Sequence, residues 1–287
     1  MIAVYKKEMR TYFTNMMGYV FLTFMLLIIG LFFTLDNVFR LDPRFQMVLS
    51  NVTTFLFILI PVITMRLFSE EARQKTDQLL FTSPLSIAQI VLGKYFAAVS
   101  LFLVAVGISV FFPIFTSQYG SLPVNQITGT YIGFILLGMS CIAVGVFISV
   151  LTDNQIIAAV ATVGMIFIMF VMEAIAFTMP TTTFASFMFV AIIIAVVIAV
   201  WFNATKNIIA TFIVAVLALA VAGGLYLFNN LIFDGIIVRT LLWLSVFSRF
   251  TNFSMGILNP DDIIYYISFS ALFIYLAINI IEKRRWR

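Results

Sequence analysis

Eight stretches of the sequence run for 18 to 25 residues with at most one charged side chain each: Gly18–Leu35, Phe45–Met65, Val91–Phe115, Tyr131–Leu151, Ile156–Met179, Phe184–Phe202, Ile208–Phe228 and Ile263–Ile281. A helix rises ~1.5 Å per residue, so about 20 apolar residues carry it across the hydrocarbon core of a bilayer. The breaks between stretches carry residues that end helices: Asp42-Pro43, Ser83-Pro84, Leu122-Pro123, Asp153-Asn154, Met179-Pro180, Asn203 with Asn207, and Asn259-Pro260. The expected fold class is all-α, a polytopic membrane protein with about eight transmembrane helices. The pair within 184–228, joined only by "NATKN", also fits a helical hairpin that does not cross.

Composition agrees and removes whole classes of chemistry. The 287 residues are 63% hydrophobic and 10% charged, against about 25% charged in a soluble domain. Mean hydropathy is +1.15, more apolar surface than a soluble core hides. Histidine is absent, which removes the usual general base, the Ser-His and Cys-His nucleophile pairs and the commonest metal ligand. One cysteine, Cys141, excludes an intramolecular disulfide and a Cys-rich metal site. The net charge of +4 is distributed as topology signals rather than as a nucleic-acid patch. The first apolar run is too long for a cleavable signal peptide, and no small-residue cleavage site follows it.

Cytoplasmic segments of membrane proteins are enriched in Lys and Arg. With both ends inside, the inner segments hold Lys6, Lys7, Arg10, Arg66, Arg73, Lys75, Lys94, Lys206, Lys283, Arg284, Arg285 and Arg287, and the outer ones Arg40, Arg44, Arg239 and Arg249. The 12-to-4 split uses all 16 basic residues, so the expected orientation is N-in and C-in. Residues 1–17 place Ile2, Tyr5, Met9, Tyr12, Phe13 and Met16 on one helical stripe, with Lys6, Lys7 and Arg10 largely off it. That suits an interfacial (elbow) helix, and a frayed terminus is the plainer alternative. The membrane-spanning domain then covers 18–287. Within it, segment 229–262 is apolar but interrupted by Asp234, Arg239 and Arg249, and is expected to form extracytoplasmic amphipathic helices with Trp243 in the interface.

A transporter needs an energy source. The nearest approach to a phosphate-cradling loop, Gly93-Lys94, is followed by Tyr95 and has Ala88 where the first glycine belongs. The backbone wrap and the magnesium-binding hydroxyl are therefore both missing, and no cofactor is expected to bind this chain directly. The only acid inside a span is Glu173. Snorkelling, a structural hydrogen bond or the lining of an outward substrate path are its possible roles. Paired glutamates in "EEARQ" would suit a membrane metalloprotease only with histidines to bind the metal. Cys141, Gly145 and Ser149 lie four apart, a small-xxx-small face for close packing within the chain or at a dimer seam.

One loop stands apart. "MRLFSEEARQKTDQLLFTSPLS", residues 65 to 86, concentrates Arg66, Glu70, Glu71, Arg73, Lys75 and Asp77 between two apolar runs. Leu67, Phe68, Ala72, Leu79 and Leu80 give it an apolar side, leaving Glu70, Glu71, Arg73 and Asp77 exposed. Ser86 is placed to cap the following helix. The segment is either a solvated connector or a short charged helix that docks a soluble partner.

At these residues the chain resembles the ABC-2 type permeases, membrane subunits of the type V ABC exporters. The family pattern of Pro, Arg, a Glu pair, Thr-x-x-Leu-Leu-x-x-x-Pro and Gly-Lys reads here as Pro61, Arg66, Glu70-Glu71, Thr76, Leu79-Leu80, Pro84 and Gly93-Lys94. Lys75 and Gln78 depart from the Gly and Glu often found there. A second block, 244–286, resembles the gliding-motility and nitrous-oxide-reductase accessory branch in its Phe-rich outer helix, Gly256, Asp262, Tyr265-Tyr266 and the terminal Lys-Arg-Arg-Trp. The resemblance implies a six-helix core plus an extra pair, in the cytoplasmic membrane. It makes 66–86 a coupling loop, with Arg66, Glu70, Glu71, Arg73, Thr76, Leu79, Leu80 and Pro84 contacting an ABC ATPase subunit that carries ATP and magnesium. It also implies a second permease copy or paralogue, with membrane lipid and an extracytoplasmic accessory protein as further partners, and no nucleic acid. Two other readings stay open: a non-transporting mechanical transducer or anchor, and a secondary transporter.

Overall fold

A computed structural model describes residues 1–76, 85–118, 120–206, 208, 211, 214–218, 223, 224, 226 and 233–285. Every regular element among the described residues is helical. In chain order they are α1 (Ile2–Thr14), α2 (Met16–Phe32), α3 (Gln46–Thr53), α4 (Leu56–Thr64), α5 (Ser69–Arg73), α6 (Ile87–Ser109), α7 (Phe111–Thr116), α8 (Val124–Leu151), α9 (Gln155–Thr178), α10 (Thr183–Thr205), α11 (Ile236–Leu244), α12 (Phe250–Ser254) and α13 (Pro260–Arg285). A π-helical turn, Phe33–Val38, continues α2.

Five of these helical segments are long and apolar enough to cross a membrane: Met16–Val38, Ile87–Thr116, Val124–Leu151, Gln155–Thr178 and Pro260–Arg285. A sixth candidate is the pair α3 and α4, bent by 65°. The break follows Val52, Thr53 and Thr54, where Thr53 turns its hydroxyl back onto the Ser50 carbonyl at 2.6 Å, and Pro61 inside α4 removes a further backbone donor. Six of the eight expected spans are thus present as candidates, one of them broken. Phe184–Phe202 falls in α10, whose apolar part, Thr183–Ala199, is shorter than the other candidates. Ile208–Phe228 lies largely outside the described residues.

The chain divides into two units, Met1–Phe170 with Val246–Arg287, and Val171–Ser245. In the larger unit α8 is the central helix, with Leu137, Cys141, Ile142, Val144 and Val146 all at 0–1% exposure. Lipid tails offer no hydrophobic drive to pair helices, so close approach through small residues matters more. Gly138 makes room for the Phe102 ring of α6, which a Cβ would meet at 2.3 Å, and Gly133 makes room for Phe253 of α12. In the smaller unit, α10 begins at Thr182, whose hydroxyl accepts from the Ala185 N–H at 3.4 Å. Phe187, Tyr226 and Phe233 form an aromatic cluster there, with ring centroids 4.8 to 5.8 Å apart.

Contacts within the larger unit sort the connections to two ends. At one end α1 meets α5, and the last turn of α13 meets the turn after α8: Arg284 lies 3.5 Å from Asp153 and donates to the Leu151 carbonyl. At the other, Gln46 bonds Gln126 at 2.7 Å, and Arg249 pairs with Asp262 at 2.8 Å. Both termini of the larger unit therefore lie at the end that holds the charged loop.

Candidate functional site

The charged loop starts from a fixed base. Gly145 of α8 packs against Thr64, the last residue of α4, whose hydroxyl oxygen a Cβ would meet at 2.3 Å. One turn on, Ser149 Oγ accepts from the backbone N–H groups of Phe68 and Ser69 at 3.1 and 3.3 Å and donates to the Met65 carbonyl at 3.3 Å. The small-xxx-small face of Cys141, Gly145 and Ser149 thus packs inside the protomer and anchors the loop. Ser69 then starts α5, with Glu70 and Glu71 in its first turn and Arg73 in its last. That order complements the helix dipole.

The two glutamates turn away from solvent, which corrects the expectation that both are displayed. Glu70 takes a bidentate pair from Arg66, Nε at 2.6 Å and Nη2 at 2.8 Å, and a third bond from Gln74 at 3.2 Å. The Arg66 hydrogen bonds hold the Glu70 carboxyl below its usual range. Glu71 meets Lys94 of α6 at 2.9 Å and Lys7 of α1 at 3.1 Å.

Lys94 is the centre of the arrangement. Its side chain is 1% exposed, and besides Glu71 it bonds Glu8 of α1 at 3.0 Å and the carbonyl of Leu67. An ammonium group has three donors, and these three acceptors use them all. Phe68 covers it, with its ring centroid 4.9 Å from Nζ. Two lysines face two glutamates, so the cluster of Lys7, Glu8, Glu71 and Lys94 is formally neutral. Buried charge is tolerated only when paired and hydrogen-bonded in this way. Gly93 admits the first turn of α1, because a Cβ there would lie 3.0 Å from Val4 Cβ and 3.1 Å from the Met1 carbonyl. The Gly-Lys pair is therefore a packing notch followed by an ionic anchor.

α1 also turns one side toward the bundle. Its protein-facing side is Val4, Glu8 and Tyr12, with the Tyr12 hydroxyl donating to the Ile63 carbonyl at 2.9 Å. Ile2, Phe13 and Met16 of the expected stripe are exposed. An open cleft of about 320 Å³ separates α1 from the loop, lined by Thr11, Asn15, Arg66, Glu70, Gln74 and Thr76 among others. Arg73, Gln74 and Lys75 are exposed, and Thr76 is half-buried with its N–H on the Glu71 carbonyl at 3.0 Å. Leu79, Leu80 and Pro84 lie outside the described residues, as does Asp77. Ser86 caps α6 through the Gln89 N–H at 3.3 Å. Glu173 is half-buried on α9 and belongs to the smaller unit. Sequence reasoning missed Glu8 and the anchoring role of Lys94. The available signal was a lysine within an apolar run, which demands a carboxylate partner.

At the opposite end, Asp262 is 4% exposed and accepts from Arg249 and from Asn252, each at 2.8 Å. Arg249 stacks on Tyr265, 4.0 Å from its ring centroid. Tyr266 donates to the Val246 carbonyl at 2.8 Å. Asp262 and the tyrosine pair thus fasten α12 to the start of α13.

A multi-pass helical bundle with a buried ionic anchor beneath a charged loop defines a membrane protein in which the base of that loop, 65–76, is tied to the helices behind it. The profile described as ABC-2 family transporter protein matches residues 40–188, which spans α3 to α9 and includes both the loop and Lys94. The match covers more than half of the 287 residues, and the chain belongs to this family of ABC transporter permeases. No curated protein matches it.

Proposed function

We propose that the chain is the permease subunit of an ATP-driven exporter in the cytoplasmic membrane, with its N and C termini inside, working with a separate ABC ATPase subunit and a second permease copy or paralogue. The observation that carries this reading is the anchored loop. A solvated connector gains nothing from a buried lysine held by three acceptors, whereas a loop that receives force must pass it to the helices behind it. Glu71 connects the loop through Lys94 to both α6 and α1. ATP and magnesium would sit on the partner. The 244–286 block resembles the gliding-motility and nitrous-oxide accessory branch, and an amphipathic or lipid-like cargo suits a bundle with so few intramembrane charges.

The reading is tested by purifying the tagged chain from its native host and identifying what accompanies it. A stoichiometric subunit with a Walker A sequence, whose ATP turnover changes on reconstitution with the permease, is the expected result. Transport without any such subunit would leave a secondary transporter instead. ATP turnover coupled to the chain but indifferent to every co-purified lipid or peptide would favour the mechanical transducer.

A further inference from the structure

We propose that the seam between α6 and α13 holds one phosphatidylethanolamine molecule, with an acyl chain in an apolar groove and the headgroup between Arg285 and Glu282. The site is independent of any ATPase partner. The groove, about 290 Å³, is lined by Leu92 and Tyr95 of α6, Leu136 and Met139 of α8, and Ser270 and Ala271 of α13 among others. Ser270 and Ala271 are the smallest of its lining side chains and leave the recess. Farther along α13, Ile274 and Ile278 carry the lining toward the helix end, one turn apart on the same side. Glu282 and Arg285 continue that stripe into an open cleft of about 610 Å³, which Ser86 and Ile87 of the α6 end also line.

Depth and chemistry select the occupant. The groove runs from about 6 to about 22 Å beyond Glu282 along α13, against about 15 Å for one leaflet's share of the hydrocarbon core. A chain anchored at Glu282, in the leaflet on the side of both termini, therefore fills most of it. Ile267 and Tyr275 are exposed, so the groove opens sideways to the bilayer. Its buried hydroxyls are already engaged: Tyr95 donates to the Met139 carbonyl at 3.3 Å, Tyr266 to the Val246 carbonyl at 2.8 Å and Ser270 to the Tyr266 carbonyl at 2.9 Å. What they leave to an occupant is apolar surface, on which a polar molecule would lose its water without replacement.

At the cleft, Glu282 and Arg285 are both exposed. A guanidinium takes phosphate oxygens in pairs, and a carboxylate accepts from a primary ammonium, which is rich in N–H donors. Phosphatidylethanolamine carries phosphate and ammonium joined by an ethylene link. Phosphatidylglycerol has no cation for Glu282 and sets a net negative charge against it, and the quaternary ammonium of phosphatidylcholine has no N–H to donate. The acid beside the base thus discriminates between headgroups as well as attracting one.

The probe is palmitoyl-oleoyl phosphatidylethanolamine added to the delipidated full chain in detergent, with phosphatidylcholine and phosphatidylglycerol of the same chains alongside. Native mass spectrometry should show one phosphatidylethanolamine retained under activation that strips the other two. Arg285→Ala should weaken its binding by about tenfold, as loss of a charge-assisted hydrogen bond does, while Lys283→Ala, exposed beside the cleft, should not. Glu282→Gln should erase the preference over phosphatidylcholine. Ala271→Phe, which fills the recess, should abolish retention, and Leu272→Phe, on the exposed side of α13 outside the groove, should leave it intact. Phosphatidylethanolamine with a photoreactive acyl chain should label the wild-type chain around Tyr95 and Ala271, a readout that needs no variant. Equal retention of the three headgroups overturns the proposal, as does labelling confined to other helices. So does undiminished binding in an Ala271→Phe variant of unchanged elution volume.

Discussion

Lys94 Nζ lies 2.9 Å from Glu71 Oε2 and 3.0 Å from Glu8 Oε1, so one buried ammonium joins the loop helix, the N-terminal helix and α6. Removing one member of a buried ion pair costs about 3–5 kcal/mol, because its mates stay buried without compensation. Lys94→Met should therefore destabilise the protein by that order, leaving two carboxylates with only the exposed Lys7. Adding Glu8→Gln restores neutrality between Lys7 and Glu71 and should recover part of the loss. Thermal unfolding in detergent checks the cycle, and strictly additive effects would sink the idea of a shared cluster.

Acid should loosen the loop through Glu70. Its carboxyl is held below the ordinary value of 4.5 by the Arg66 hydrogen bonds. A lowered folded-state value means that the stabilisation is fully present above the unfolded value and is lost as pH falls through the folded one. Hydrogen exchange of residues 66–76, corrected for intrinsic rates, should show protection that is constant near neutral pH and drops below about pH 4.5. In Glu70→Gln that drop should shrink, and an identical pH profile in the two proteins would count against the pair.

Gly145 and Gly164 make a matched comparison inside the membrane. A Cβ at Gly145 would meet Thr64 Oγ1 at 2.3 Å, while one at Gly164 meets nothing within 4 Å. Gly145→Ala should cost about 1–3 kcal/mol through overpacking and should disturb the loop base at Ser149. Gly164→Ala should gain about 0.5–1 kcal/mol from reduced backbone entropy. Melting temperatures moving in the same direction would contradict the packing described for α8.

Neighbouring aspartates at the start of α13 should behave differently. Asp262 is buried against Arg249 and Asn252, whereas Asp261 is exposed. Asp262→Ala should cost about 3–5 kcal/mol by stranding Arg249, and Asp261→Ala less than about 1 kcal/mol, the worth of an exposed charge near a helix N-terminus. Urea or thermal unfolding of the two variants measures the gap.

Topology is open to direct labelling. Ser121 and Asn154 are exposed at the two ends of α8. In a Cys141→Ala background, Ser121→Cys should react with a membrane-impermeant maleimide from outside and Asn154→Cys only after permeabilisation. The reverse pattern would invert the orientation drawn from the basic residues.

Six of the eight expected spans were legible in the sequence as candidates, because lipid makes a local demand: each crossing needs its own run of apolar residues, whatever the rest of the chain does. The capping role of Ser86 was legible for a similar reason, since a helix end must find its hydrogen bonds within a turn. The break between α3 and α4 was not, because a run of β-branched residues permits a bend that only packing imposes. Nor was the fate of the loop's charges. Glu70 finds its partner four residues away, but Glu71 and Glu8 meet on Lys94, 23 and 86 residues distant. Sequence determined how many charges the loop carries, and tertiary structure decided which of those between Arg66 and Lys75 remain on the surface, because burial of one lysine draws in whichever carboxylates the fold brings within reach.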